Sequence, residues 1–210
     1  DFRKIIMLKR LLDLLLSLLV LIVLSPIFLL ITLIIYAFNG PPVLYIHQRL
    51  GKNSKVFNFY KFRTMKLGES LGSKHDAKRI TSIGKFLRKT SLDELPALFN
   101  VIKNDMSLVG PRPLPLKYKN RFNGFQNRRH EVQPGMTGLA QVKGRNTISW
   151  EEKFEYDVYY ADHCNLLLDL KILFITLFQV LKGQGVNPDG QDIMPEFMGT
   201  KNANEPYKTD

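Results

Sequence analysis

Residues 14–38 form a run of 25 residues without a charged side chain, and this run limits the possible folds more than any other feature. A straight helix of that length would be about 37 Å long, which exceeds the hydrocarbon core of a bilayer. The run is too long for a cleavable signal peptide, and no small-residue cleavage site follows it. The simplest prediction is a transmembrane helix.

Two features argue against a helix that crosses the membrane. Ser25-Pro26 lies in the middle of the run, where proline removes a backbone donor and kinks a helix. Basic residues flank the run on both sides: Arg3, Lys4, Lys9 and Arg10 before it, and Arg49, Lys52, Lys55, Lys61 and Arg63 after it. A helix that breaks and returns keeps both flanks in the cytoplasm, whereas a spanning helix keeps only one there. Physical chemistry alone leaves both arrangements open.

The composition points to an anionic partner. The chain has 30 Lys and Arg against 19 Asp and Glu, a formal net charge of +11. This excess suits phospholipid head groups, nucleic acid or a phosphorylated substrate. The single cysteine, Cys164, has no internal disulfide partner, and the four histidines lack the spacing of zinc ligands. We therefore expect neither a disulfide scaffold nor a zinc site.

Beyond the apolar run, the sequence predicts a small mixed domain. Strands are expected at residues 43–46 and 56–60. Helices are expected at residues 80–89, from Ser91, from Ser149 with Glu152 in capping-box position, and at residues 169–182. The first of these has an apolar face beside basic residues, typical of a helix in the head-group layer, although a surface helix packed on a core has the same pattern. The last is apolar around most of its circumference and should be buried or face lipid.

Asp93 and Glu94 stand at the start of a predicted helix. Ser91 and Glu94 have the S-x-x-E spacing of a capping box, in which acids only stabilise the helix start. The same position keeps a carboxylate ionised, as a nucleophile or metal ligand requires. Adjacent helical residues also point about 100° apart, so the two acids can serve different partners.

Three further features suit phosphate chemistry, each with a structural alternative. Arg112 is held between two prolines, and its planar guanidinium suits phosphate oxygens, but the segment also fits a simple turn. Residues 134–145 are rich in glycine, which lets backbone amides approach a phosphate closely or simply allows tight turns. Asp157 is a candidate metal ligand or an ordinary solvated helix residue.

Taken in order, these motifs resemble a known family. They are Lys9-Arg10 with Asp13, Ser25-Pro26, Tyr60-Lys61-Phe62-Arg63-Thr64-Met65, Ser91-Leu92-Asp93-Glu94-Leu95-Pro96, Asp105-Met106-Ser107, Gly110-Pro111-Arg112-Pro113, and Pro134-Gly135 with Gly144-Arg145. They resemble the bacterial sugar transferases, also called monotopic phosphoglycosyl transferases. The resemblance runs from about residue 8 to residue 182 and is strongest to the small enzymes that begin bacterial protein N-glycosylation.

The resemblance implies an enzyme that transfers a phospho-sugar from a UDP-sugar to polyprenyl (undecaprenyl) phosphate. The donor would be UDP-diacetylbacillosamine or another UDP-N-acetylhexosamine derivative. Asp93 would attack the β-phosphate, release UMP and carry the phospho-sugar covalently, with Glu94 as the second catalytic acid. The implied cofactor is Mg²⁺, with Asp93, Glu94 and Asp157 as its ligands.

Binding residues are assigned as hypotheses on the same basis. The phosphate and nucleotide of the donor would contact Pro111, Arg112, Gln141, Gly144 and Arg145. The polyprenyl phosphate would contact Lys61, Arg63 and Arg88.

The expected fold is α+β in three parts. A re-entrant membrane helix hairpin occupies residues 1–38, with its break at Ser25-Pro26. A small, mostly helical catalytic domain with amphipathic interface helices occupies residues 39–185, and a loosely structured tail occupies residues 186–210. The expected location is the cytoplasmic face of the bacterial inner membrane, and the partners are UDP-sugar, polyprenyl phosphate and membrane lipid. A homo-oligomer stays open.

Two other classes of protein would share some of these features. A membrane-tethered nucleic-acid binder would also be basic, but only Tyr60-Lys61-Phe62-Arg63 interleaves aromatic and basic residues, so no nucleic-acid partner is expected. A non-catalytic membrane scaffold would use Asp93 and Glu94 only to cap a helix. Replacing Asp93 with Asn would then alter stability slightly and no activity.

Overall fold

The structure, a computed structural model, describes residues 2–68, 79–144, 148–182 and 196–200. The α-helices are α1 (Phe2–Val23), α2 (Ser25–Asn39), α3 (Ser82–Lys89), α4 (Leu98–Ile102), α5 (Gly124–Asn127), α6 (Leu139–Lys143), α7 (Trp150–His163) and α8 (Leu166–Leu181). The strands are β1 (Leu44–Leu50), β2 (Val56–Phe62), β3 (Ser107–Val109) and β4 (Gly135–Thr137). Short 3₁₀ helices cover Lys52–Ser54, Leu92–Ala97, Leu116–Tyr118 and Arg128–His130. This mixed, mostly helical architecture confirms the coarse fold class predicted from the sequence.

Helices α1 and α2 are separated by a break at the predicted position. Leu24 leaves the helical conformation (φ −92°, ψ 6°), and Pro26 lies in the first turn of α2, where its missing N–H is tolerated. The segments Met7–Val23 and Ser25–Asn39 are bent by 62° relative to each other. Among the helices described, none is long and apolar enough to cross a bilayer alone, whereas this bent pair meets the length and composition of a span.

Polar contacts fasten the first half of α1 to the rest of the protein. Lys9 Nζ lies 2.7 Å from Asp169 Oδ2 and 3.1 Å from the carbonyl oxygen of Val109. Asp13 Oδ1 accepts a 3.0 Å hydrogen bond from the N–H of Leu108. Because Asp13 and Asp169 are both buried, these contacts supply the partners that buried charges require.

Helix α2 packs on the domain through an apolar cluster. Ile31 and Ile35 are buried together with Phe62 of β2 and Leu87 of α3. Leu92, next to the predicted acidic pair, packs against the same cluster. The segment that carries the acids therefore lies directly against α2.

The strands β1 and β2 form an antiparallel ribbon that supports the acidic segment. The pairing runs from Leu44 opposite Phe62 to Leu50 opposite Val56, so both strands extend beyond their predicted ends. Phe59 packs with Ala97, at the end of the 3₁₀ helix Leu92–Ala97. Side chains alternate across the ribbon, so every second residue of β1 faces the same side.

The glycines of the segment around β4 permit a very close approach of two chains. β3 and β4 pair in parallel, with Ser107 opposite Gly135. A Cβ atom on Gly135 would lie 2.1 Å from the backbone nitrogen of Gly110, and one on Gly138 would lie 2.2 Å from the Gly110 carbonyl oxygen. Close packing of two chain segments therefore accounts for these glycines, a reason that neither the phosphate-contact nor the tight-turn interpretation of the sequence included.

The C-terminal helices begin at capped positions. Ser149 and Glu152 form the predicted capping box at the start of α7. Helix α8 begins earlier than predicted, because the side chain of Asn165 accepts a hydrogen bond from the N–H of Leu168. Its outward face is apolar and exposed: Leu167, Leu170, Phe174, Leu177, Phe178 and Leu181. In the predicted tail, Phe197 is buried in an aromatic cluster beside Phe154.

Candidate active site

The acidic pair lies in a 3₁₀ helix rather than at the start of an α-helix. Ser91 adopts a left-handed conformation (φ 57°), and within the described residues its side chain caps no backbone N–H. The predicted capping box at this position is wrong, because Ser91 turns the chain out of α3 and the Glu94 side chain binds elsewhere. The explanation of the two acids as a simple helix cap therefore loses its basis.

Glu94 is gripped by Arg112. The guanidinium donates to both carboxylate oxygens, with Nη1 3.2 Å from Oε2 and Nη2 on Oε1. Burial disfavours the charge on Glu94, but the charge and hydrogen bonds of Arg112, with the charge of Lys61, outweigh burial and hold the pKa of Glu94 below its usual value. The Arg112 side chain is still 45% exposed, so part of it faces solvent.

Asp93 is the buried and unpaired acid of the site. Only 7% of the residue is exposed, and no described residue forms a hydrogen bond or ion pair with its carboxylate. Burial and the neighbouring charge of Glu94 raise its pKa to about 6, against the opposing charges of Lys61 and Arg88. Near pH 7 Asp93 is therefore mostly ionised, with its oxygens free to react or to bind a cation.

Besides Arg112, cations from two elements converge on this pair. Lys61 comes from β2 and Arg88 from α3, where Arg88 Nε donates to Thr64 Oγ1 over 2.9 Å. Burial lowers the pKa of both, while the charges of Asp93 and Glu94 oppose that effect. The predicted basic residues Lys61 and Arg88 are thus placed beside the acids.

Arg63 makes backbone contacts that the sequence did not predict. It is 5% exposed, and its guanidinium donates to the carbonyl oxygens of Asn39, Gly40 and Pro41. Its two Nη groups hold the end of α2 to the domain. These contacts favour a structural role for Arg63, and its assignment to a lipid phosphate stays a prediction.

The remaining predicted nucleotide contacts are not gathered around the acids by any described contact. Pro111 is buried, and Gln141 Nε2 donates to the carbonyl oxygen of Met136 over 3.0 Å. Gly144 follows the end of α6. Arg145 lies outside the described residues.

Asp157 is bound to an arginine that sequence reasoning missed. Arg129 Nε and Nη2 lie 3.0 and 2.7 Å from Asp157 Oδ2, and both residues are buried. Within the described part of the chain, no three acidic, histidine or cysteine side chains form a group that could hold a metal. Asp157 therefore serves as the partner of Arg129 and does not join Asp93 and Glu94 as predicted.

The residues present nevertheless fit a magnesium ion. Mg²⁺ is usually held by one or two carboxylates, with water and substrate phosphates as the other ligands. Asp93 and Glu94 are adjacent carboxylates, and Asp93 has no competing partner among the described residues. These two residues would hold the ion.

A histidine and an arginine on β1 complete the surroundings, and sequence reasoning missed both. Arg49 Nε donates to His47 Nε2 over 2.6 Å, and the imidazole stacks on Phe59. Burial, with the charges of Arg49 and Lys61, lowers the pKa of His47 to about 3, so it is a neutral acceptor. The period-two spacing of Tyr45, His47 and Arg49 was the available signal, because it places them on one face.

The buried carboxylate of Asp93 and the half-buried one of Glu94, with arginine and lysine around them, define a centre suited to phosphorylated substrates. Comparison with known proteins agrees: the model of the family described as bacterial sugar transferase matches residues 4–183. The chain is 45% identical over 197 residues to the sugar transferase EpsL of Bacillus subtilis, covering 92% of this chain and 96% of EpsL.

Two larger relatives carry names that specify a reaction. The undecaprenyl-phosphate galactose phosphotransferase of Salmonella typhimurium is 40% identical over 202 residues, covering 85% of this chain and 41% of that protein. The UDP-glucose:undecaprenyl-phosphate glucose-1-phosphate transferase of Klebsiella pneumoniae is 41% identical over 185 residues, covering 81% and 39%. The chain spans about two-fifths of the length of these two relatives. The protein belongs to the bacterial sugar transferase family.

Proposed function

We propose that the protein transfers a sugar 1-phosphate from a UDP-sugar to polyprenyl phosphate, giving polyprenyl-diphosphate-sugar and UMP. The observation that carries the proposal is the buried, unpaired Asp93 carboxylate, set among cations and directly beside an apolar helix pair. The names of the Salmonella and Klebsiella relatives support the same reaction class.

Asp93 is proposed as the nucleophile. Its carboxylate oxygen bonds to the β-phosphorus of the UDP-sugar, the bond from that phosphorus to the bridging oxygen breaks, and UMP leaves with the electron pair. A phosphate oxygen of the polyprenyl carrier then attacks the same phosphorus and releases the Asp93 carboxylate. Two displacements at one carboxylate divide a difficult reaction between two anions into easier steps.

The surrounding cations have complementary tasks. Arg112 keeps Glu94 ionised and presents its exposed part toward a phosphate, where a guanidinium offers two donors. Lys61 and Arg88 reduce the repulsion between Asp93 and incoming phosphates, because their charges act on the Asp93 carboxylate. Bound at Asp93 and Glu94, Mg²⁺ would neutralise part of the phosphate charge.

The membrane arrangement follows from the position of the site. Leu92 and Leu95 pack against the cluster of Ile31 and Ile35, which supports an arrangement in which Asp93 reaches a carrier phosphate at the membrane surface. We propose that α1 and α2 enter and leave one leaflet of the inner membrane from its cytoplasmic face. The exposed apolar face of α8 would then lie in the head-group region.

The identity of the donor sugar is the most specific part of the proposal. The resemblance favours UDP-diacetylbacillosamine and protein glycosylation, whereas the Salmonella and Klebsiella relatives are named for galactose and glucose. No described contact discriminates among these sugars, so the donor has to be measured.

UMP release tests the proposal. The protein is incubated in detergent or nanodiscs with polyprenyl phosphate, Mg²⁺ and one of four donors: UDP-diacetylbacillosamine, UDP-N-acetylglucosamine, UDP-galactose or UDP-glucose. Turnover that needs both substrates and disappears in Asp93→Asn is expected. Asp162→Asn is the matched control, because the Asp162 carboxylate lies exposed on α7, where it pairs with Arg128. Release unaffected by Asp93→Asn, or no release with any donor, would refute the proposed function.

A further inference from the structure

The backbone around Arg112 is held at four successive carbonyl groups. The carbonyl oxygen of Pro111 accepts from the N–H of Gly135 over 3.0 Å, and that of Leu114 accepts from the N–H of Leu50 over 3.0 Å. The two carbonyl groups between them, those of Arg112 and Pro113, accept from arginine side chains instead.

Arg129 holds the first of these carbonyl groups. Its Nη2 lies 2.7 Å from the oxygen of Arg112, and the same guanidinium pairs with Asp157. Arg129 is 3% exposed and Asp157 is 5% exposed. A buried ion pair fixes the direction of the donor, since neither side chain has solvent in which to turn.

Arg49 holds the second. Its Nη1 lies 3.0 Å from the oxygen of Pro113, while its Nε donates to His47. The imidazole lies on Phe59, so Arg49 is also tied down at both ends of its guanidinium. The donor comes from β1, whereas Arg129 comes from the segment before β4.

These side-chain donors compensate for a backbone N–H that proline removes at this position. Because residue 113 is proline, the peptide between Arg112 and Pro113 has no N–H, and its carbonyl is the only polar group by which it can be held. Proline fixes its own φ and keeps the residue before it out of the helical region, but the ψ angles of Arg112 and Pro113 can still vary within the extended region. A change in these angles would swing the Arg112 side chain away from Glu94.

We propose that Arg49 and Arg129 are positioning residues that fix the backbone of Arg112, so that its guanidinium is aligned with Glu94 and the transferred phosphate. The inference rests on the proposed function for its catalytic consequence. Neither residue needs to touch the substrate, because each acts through Arg112.

A double-mutant cycle on kcat/KM for UMP release tests the proposal. Arg49→Gln and Arg129→Lys are each measured in the wild type and in Arg112→Gln; the lysine keeps a positive charge beside Asp157. Each is expected to lower kcat/KM about ten- to hundredfold alone, as a displacement of about 1 Å does, but less than about twofold in Arg112→Gln. Losses of equal size in both backgrounds would overturn the proposal.

Arg121→Gln is the matched control, because Arg121 also donates to a backbone carbonyl, that of Phe197, far along the chain from Arg112. Arg121→Gln should lower kcat/KM by the same factor in the wild type and in Arg112→Gln. If Arg49→Gln fails to fold, Arg49→Met enters the same cycle, since it keeps an unbranched apolar stem and removes the donor to the Pro113 carbonyl oxygen.

A second readout does not depend on activity. A guanidinium forked on Glu94 rotates slowly, so the Nη protons of Arg112, assigned with Arg112→Lys, should give separate NMR signals in the wild type and averaged ones in Arg49→Gln. Separate signals in both proteins would overturn the positioning role. Suppose that the wild type releases no UMP and that the Arg112 Nη signals are averaged in Arg49→Gln. That result would refute the proposed function and still support the positioning of Arg112 by Arg49.

Discussion

The Asp93 carboxylate should be held at a cost in stability, and Asp93→Asn should therefore stabilise the protein. Its pKa is raised from 3.8 to about 6, chiefly by burial and next by the charge of Glu94. The folded protein thus binds this proton more tightly than the unfolded chain does. The stability contributed by the protonated group is present below pH 3.8 and is lost as pH rises through about 6.

The size of the effect follows from the shift. A difference of about two pKa units corresponds to about 3 kcal/mol at pH values above 7. For a chain of 210 residues, this is a rise of about 6–12 °C in the unfolding midpoint of Asp93→Asn. A carboxylate that only stabilised the start of a helix would behave oppositely, because the neutral amide loses the favourable interaction with the helix dipole and lowers stability by about 0.3–1 kcal/mol.

Thermal unfolding in nanodiscs at several pH values measures the difference. The gain of Asp93→Asn over the wild type should be close to zero near pH 4 and largest above pH 7. Asp162→Asn, which removes an exposed carboxylate, should change the midpoint little at either pH. An Asp93→Asn variant that is no more stable than the wild type at pH 7.5 would refute the reasoning.

Three other outcomes are expected. The single-turnover rate of phospho-enzyme formation should rise with pH with an apparent pKa of about 6. Arg88→Gln should raise that apparent pKa, because the charge of Arg88 lowers the pKa of Asp93. A rate that does not depend on pH would contradict this prediction. Lys9→Met should destabilise the protein by about 3–5 kcal/mol in thermal unfolding, since it leaves Asp169 buried without its cation. The double variant Lys9→Met with Asp169→Leu should recover most of that stability. Equal losses of stability in the single and the double variant would contradict the pairing. Phe174→Glu should weaken flotation with anionic vesicles several-fold, since it places a negative charge on the apolar face of α8; unchanged flotation would show that this face does not contact the membrane.

Local signals made part of the fold predictable. The break near Pro26 and the capping box at Ser149 each depend on residues a few positions apart, and both are present in the structure. The S-x-x-E pattern at Ser91 is equally local and failed, because Arg112, 18 residues from Glu94, binds that glutamate.

The candidate site was only partly predictable, for a related reason. The sequence indicated Asp93 and Arg112 as single residues but gave no sign of what holds them. Arg129 stands in a basic run that reads as solvated surface, and only folding brings it to Asp157. Arg63 has the chemistry of a phosphate ligand, and only the position of α2 shows that its two Nη groups already donate to backbone carbonyl oxygens.

The anchoring of α1 fixes the length of helix that lies between the domain and the break at Leu24. Asp13 is tied to the domain, and the break follows at Leu24, so the free part of α1 is about 15 Å long. That is close to half of a hydrocarbon core of about 30 Å, the thickness of a single leaflet. In the proposed re-entrant arrangement, this part of α1 would extend from the cytoplasmic surface to about the middle of the bilayer. The height of Asp93 above the lipid should therefore stay the same in thin and thick membranes.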